Sequence, residues 1–159
     1  MSSLILKDHP LLGKTVVALR NFRNGEEIME FSGPQVKAEE IPALQKPEDD
    51  RYLQIGRDLY LGASGGFDDF FNHSCCPNAG LVEKDERFFL TAIEEIPAGE
   101  EILWDYSTYM DERDWEMGCL CGEKICRGVI RDFCFLPEAL RNKYLHLGIV
   151  PKFIADQYR

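Results

Sequence analysis

The segment Cys119-Leu120-Cys121-Gly122-Glu123-Lys124-Ile125-Cys126 sets three thiols two and five residues apart. A thiolate zinc site needs four donors about 2.3 Å from the ion in a tetrahedron, and this spacing can wrap three of its corners. Gly122 relieves the turn between them. The fourth donor must come from elsewhere: Cys75, Cys76, Cys134 and the three histidines are available, and spacing alone does not choose among them. The best source is the dense segment Asn72-His73-Ser74-Cys75-Cys76-Pro77-Asn78. An ion shared with it would tie residues more than forty positions apart into one pocket.

The elements that must position these groups fit one domain. A chain of 159 residues buries about two thirds of its unfolded surface, enough for a core without disulfide staples. No run of eighteen or more apolar residues occurs, and no basic stretch followed by a long apolar one opens the chain, so neither export nor membrane insertion is expected. An intracellular location follows, cytoplasmic or nuclear. In a reducing compartment six cysteines serve as ligands or buried thiols rather than as disulfides. The formal charge of −10 repels nucleic acid phosphates and attracts cations. A basic protein or peptide is the expected partner, with no direct nucleic acid binding and no membrane.

Two stretches read alike, 21–31 around Gly25-Glu26-Glu27-Ile28 and 96–106 around Gly99-Glu100-Glu101-Ile102, each a glycine turn feeding a strand, as in a recurring hairpin element. Thr15 to Leu19 and Arg87 to Ile93, β-branched and aromatic, predict further strands. The body is mainly β. Lys37 to Asp50, charged and punctuated by Pro42 and Pro47, reads as an inserted surface segment with a short helix over Glu39 to Gln45. The tail is helical: Pro137 opens a helix, Leu140, Tyr144 and Leu147 share its packing face, and Gly148 stops it. A second short helix follows Pro151, using Phe153, Ile154 and Tyr158.

Phe71-Asn72-His73-Ser74-Cys75-Cys76-Pro77-Asn78, Gly99 to Tyr106 and Cys119 to Gly128, taken in this order, make the chain resemble the SET-domain protein lysine methyltransferases. The resemblance runs from about Leu11 to Arg131. It implies a SET-domain (β-clip-like) fold of small curved sheets with a C-terminal pseudoknot. The expected boundaries are a SET domain over 1–110, a post-SET zinc segment over 111–131 and a helical tail over 132–159, packed on the same domain. The cysteine segment is similar to the family's post-SET motif, whose structural zinc takes its fourth thiolate from the position of Cys75, giving Cys75, Cys119, Cys121 and Cys126 as ligands.

The resemblance also implies the chemistry, methyl transfer from S-adenosylmethionine to a lysine amine of a basic protein such as a histone. Tyr106 matches the catalytic tyrosine and also faces the cofactor. Asn72 and His73 match positions that hold the cofactor, Lys14 and Thr15 the backbone beside its methionine moiety, and Leu120 a position that covers the adenine. Trp104 matches the aromatic that limits how many methyls fit, and Tyr52 lines the lysine channel; Tyr60 and Tyr109 read equally as channel or core. Three positions depart from the pattern. Gly13-Lys14-Thr15 keeps only the first glycine of a Gly-x-Gly, Asp69 stands where an arginine is common, and Gly65-Gly66 replaces Gly-Asn. The alternative class is a catalytically impaired SET-fold module that grips a basic peptide, and a further one is an oxidation-responsive thiol protein using Cys76 and Cys134.

Overall fold

The computed structural model describes residues 1–41 and 52–159. Its strands are short: β1 (Leu4–His9), β2 (Gly13–Ala18), β3 (Glu27–Phe31), β4 (Gln35–Lys37), β5 (Leu53–Gly56), β6 (Leu59–Leu61), β7 (Asn72–His73), β8 (Ala79–Lys84), β9 (Arg87–Ala92), β10 (Leu103–Trp104), β11 (Met117–Gly118) and β12 (Val129–Ile130). They pair as small sheets ordered β1-β2, β3-β9-β8, β4-β6-β5, β7-β10 and β11-β12. In β9, Phe88, Leu90 and Ala92 are buried and alternate with more exposed residues, the period-two pattern of a strand with one face on the core. One cluster of Val16, Phe22, Leu81, Leu90, Ile96, Ile102 and Trp104 joins the sheets. The fold class inferred from the sequence is the one observed.

The glycine turns are present, with Gly25 at φ +84° and Gly99 at φ +93°, but neither closes a hairpin. The first feeds β3, which pairs with the distant β9, and the second leads to β10, parallel to β7. The two similar stretches meet each other instead. Phe22 N–H donates to Ile96 O and Ile96 N–H to Phe22 O, both at 2.9 Å. Of the predicted insertion, Lys37 ends β4, Ala38–Glu40 forms a 3₁₀ turn and Ile41 is extended; Pro42, Pro47 and residues 42–45 of the predicted helix lie outside the described residues.

The tail follows its punctuation. Pro137 caps α1 (Glu138–Leu147), Gly148 ends it at φ +71°, and α2 (Lys152–Ala155) starts directly after Pro151. Leu147 is a correction: it is 39% exposed, because the chain turns at Gly148 and Ile149 and Val150 enter the core in its place. With Phe133, Leu136, Tyr144 and Ile154 they form a second core against Val82 of β8 and Ile93. At the contact, a Cβ on Gly80 would stand 2.5 Å from Ile149 Cγ2. Gly80→Ala is therefore expected to destabilise the protein by about 1–3 kcal/mol through overpacking, read as a lowered urea midpoint.

Candidate active site and metal centre

β7 and β10 are two residues each, yet their parallel pairing sets Asn72 beside Leu103 and His73 beside Trp104. Asn78 clamps the pair: its Nδ2 donates to Glu101 O at 2.8 Å and its Oδ1 accepts from Leu103 N–H at 2.9 Å. Tyr106 follows at the end of β10. Its hydroxyl donates to Phe71 O at 2.7 Å, and its ring lies 5.3 Å from that of His73 and 4.9 Å from that of Trp104. Asn72 reaches the N-terminal ribbon, its Nδ2 donating to Lys14 O at 2.8 Å. Asn72, His73, Tyr106 and Lys14 thus converge. Thr15 is buried, with its hydroxyl donating to the Glu101 carboxylate, which leaves its side chain turned into the fold.

His73 is neutral. Burial pushes its pKa down to about 4; the Asp105 carboxylate opposes this and the Arg127 guanidinium adds to it. Its Nδ1 accepts the Tyr106 N–H at 3.1 Å, which leaves the proton on Nε2, 3.4 Å from Cys75 Sγ. The 3.5 Å approach of Nδ1 to Asp105 Oδ1 is accordingly not an ion pair.

The sulfur atoms of Cys75, Cys119, Cys121 and Cys126 all lie within 4.8 Å of one another. Cys75 and Cys119 are 3.7 Å apart, close to the roughly 3.8 Å edge of a tetrahedron with 2.3 Å metal–sulfur bonds. Main-chain N–H groups already point at two of the sulfurs, Arg127 N at Cys75 Sγ and Gly128 N at Cys126 Sγ, both at 3.4 Å. Burial pushes the Cys75 and Cys119 thiols up, so a bound dication is what would let all four ionise together. The donor set therefore fits zinc. Cys76 and Cys134 are exposed and stand outside the cluster.

A cleft of about 630 Å³ opens beside Tyr106, walled by Tyr52, Tyr60, Trp104 and Tyr109. Asp68, Asp69, Glu112 and Glu116 line it too, and among the described residues that line it there is no lysine or arginine. The Tyr60 hydroxyl donates to Glu112 Oε1 at 2.7 Å, while the Tyr109 hydroxyl, 3.2 Å from Leu81 O, is tied into the core. The Trp104 indole N–H is buried with no acceptor among the described residues. Asp69 has its own work: its carboxylate accepts the N–H groups of Ser64 and Gly65 at 3.0 and 2.8 Å, shaping the Gly65-Gly66 turn. Leu120, 60% exposed, is not packed into the core.

Two further residues belong to this region, Asp105 and Arg127. The Asp105 side chain has no solvent exposure, and its Oδ1 accepts from Arg127 Nη2 at 2.8 Å and from Ser107 N–H at 3.0 Å. A carboxylate flanked by the buried Trp104 and by Tyr106, and an arginine directly after a ligand cysteine, were the available sequence signals.

A family model described as the SET domain matches residues 13–107, more than half of the chain. The chain belongs to the SET domain family. It is 31% identical over 142 residues to the "Variant-silencing SET domain-containing protein" of Plasmodium falciparum (isolate 3D7), an alignment that covers 79% of this chain and 6% of that protein. To "Histone-lysine N-methyltransferase set-2" of Caenorhabditis elegans it is 39% identical over 130 residues, covering 74% and 8%. To "Histone-lysine N-methyltransferase 2B" of Homo sapiens it is 28% identical, covering 72% and 5%. The chain thus spans under a tenth of the length of these relatives. Among solved structures, KRYPTONITE in complex with mCHG DNA and SAH aligns with TM-score 0.66 and 20% identity, covering 80% of this chain and 28% of that one. A second KRYPTONITE structure, with mCHH DNA, H3(1-15) peptide and SAH, gives TM-score 0.64 at 21% identity, covering 80% and 29%. These likenesses show the SET fold.

Proposed function

We propose that the protein transfers a methyl group from S-adenosylmethionine to the side-chain amine of a lysine in a basic protein or peptide. The observation that carries this is the convergence of Tyr106, Asn72 and His73 beside an aromatic cleft that bears carboxylates and, among the described residues, no lining cation. Relatives whose names say histone-lysine N-methyltransferase, and neighbours solved with SAH and with an H3 peptide, support the same reading.

A lysine amine has a pKa of about 10.4 and must lose its proton before its lone pair can attack. Aromatic walls and the sulfonium charge of the cosubstrate both favour the neutral amine. The nitrogen lone pair forms the new N–C bond as the methyl–sulfur bond breaks, its electron pair staying on sulfur to give the neutral thioether. The proton released from nitrogen passes to water. Tyr106, whose hydroxyl donates to Phe71 O and whose side chain lines the cleft, orients methyl and amine for in-line attack. Asn72, His73 and the backbone at Lys14 and Thr15 hold the cosubstrate, with Leu120 over its adenine. Tyr52 and Trp104 flank the lysine stem. One zinc ion on the four cysteines would fix Cys119–Gly128 against Cys75; its part is structural, and no chemical step runs through it.

Trp104→Phe is expected to enlarge the cleft and raise the proportion of more highly methylated lysine, read by mass spectrometry of the product. The proposal itself is tested by calorimetry with S-adenosylmethionine followed by methyl-label transfer into fractionated lysate. Saturable binding and label on a lysine of a basic protein are expected. Binding of a basic peptide without any affinity for S-adenosylmethionine would instead make the protein a peptide-binding module.

A further inference from the structure

We propose that Tyr144, in the helical tail, is a positioning residue for the metal and cofactor pocket, acting through Asp105 and Arg127. This role rests on the reading of the four cysteines as a zinc site.

Tyr144 is 1% exposed, and its hydroxyl donates to Asp105 Oδ2 at 2.9 Å. The other oxygen, Oδ1, takes Arg127 Nη2 at 2.8 Å and Ser107 N–H at 3.0 Å. Each carboxylate oxygen therefore has its own donor, and the tail supplies one of them. Arg127 holds a donor in reserve: its Nη1 is buried with no hydrogen-bond partner among the described residues. Two arrangements are consequently available to the pair. In the observed one, Tyr144 occupies Oδ2 and the guanidinium reaches Asp105 through one nitrogen. In the other, Asp105 turns both oxygens to both guanidinium nitrogens, the forked geometry that arginine–carboxylate pairs favour. The Tyr144 hydroxyl holds the first.

The choice matters because of where the Arg127 main chain lies. It sits between Cys126 and Gly128, its N–H aimed at Cys75 Sγ and the Gly128 N–H at Cys126 Sγ, both at 3.4 Å. Drawing the guanidinium into a fork moves the backbone that donates to two of the four sulfurs. Outer-shell hydrogen bonds of this kind are worth about 10- to 100-fold in metal affinity. The tail is thereby part of the site, although it lies beyond the cysteine segment and presents no group to the cleft.

Tyr144→Phe keeps the ring and its packing and removes only the hydroxyl. Ile154→Val loosens the same tail core without touching Asp105. Zinc affinity, measured by competition with a chromogenic chelator, is expected to fall about 10- to 100-fold in Tyr144→Phe and to stay at the wild-type value in Ile154→Val. The Arg127 amide resonance is expected to shift in the first variant and not in the second. Unchanged zinc affinity with an unmoved Arg127 amide in Tyr144→Phe would overturn the proposal, and so would an equal loss in both variants. Wild-type protein that binds no zinc would defeat the zinc reading and this role with it, whereas loss of methyl transfer in a variant that keeps its zinc bears on the methyltransferase reading alone.

Discussion

Tyr106→Phe is expected to lower kcat for methyl transfer on the order of 10²–10³-fold, the cost of removing one prepositioned polar group from a reacting centre. The substitution is narrow. The phenyl ring keeps its place 5.3 Å from His73 and 4.9 Å from Trp104, and the main-chain hydrogen bond from position 106 to His73 Nδ1 does not involve the hydroxyl. What disappears is the oxygen proposed to orient the methyl and the amine, together with its 2.7 Å bond to Phe71 O, worth about 1 kcal/mol of stability. Fold, zinc content and S-adenosylmethionine affinity should therefore stay near wild type while turnover collapses. A steady-state rate within threefold of wild type would remove Tyr106 from the chemistry.

Removing the zinc is expected to weaken cofactor binding more than tenfold without unfolding the β body. Elemental analysis of freshly purified protein is expected to give one zinc per chain. Chelation leaves four thiols within 4.8 Å of one another with nothing to hold them there, and the segment from Cys119 to Gly128 has little regular structure of its own, only the two-residue β11 and β12 beside it. The effect reaches the cofactor because Cys75 is two residues from His73 and directly faces its Nε2. Affinity for S-adenosylmethionine is expected to drop more than tenfold on chelation and in Cys75→Ser, with restoration by added zinc only in the wild type. Hydrogen exchange should show lost protection around 117–130 and retained protection in β8 and β9. Metal-free protein that binds S-adenosylmethionine with full affinity would separate the cysteines from the cofactor site.

Much of this site was legible in the sequence because its parts sit in compact motifs. Cys119, Cys121 and Cys126 have the spacing of a metal site, and the fold brings Cys75, beside Asn72 and His73, within 4.8 Å of them as the resemblance implied. The tail helices were marked by Pro137, Gly148 and Pro151, residues whose backbone preferences act locally. What sequence did not reveal depends on partners far along the chain. β7 and β10 are too short to show any period, and they exist because each completes the other. The Gly25 and Gly99 turns look like hairpins locally, yet the strand that receives β3 lies some sixty residues away in β9. Asp105 and Arg127 read singly as ordinary charged residues, and only folding buries Asp105 between Arg127 and Tyr144. Asp69 matches no expected arginine because here its carboxylate closes a turn.

Methyl transfer to a lysine amine beside Tyr106 is tested most directly by incubating the protein with S-adenosylmethionine and a lysine-rich basic protein, then mapping the product by tandem mass spectrometry. Methyl groups on lysine side chains, matched by equal S-adenosylhomocysteine and absent with Tyr106→Phe, are the predicted result. Methylation of another residue type, or no transfer from protein that demonstrably holds both zinc and S-adenosylmethionine, would contradict it.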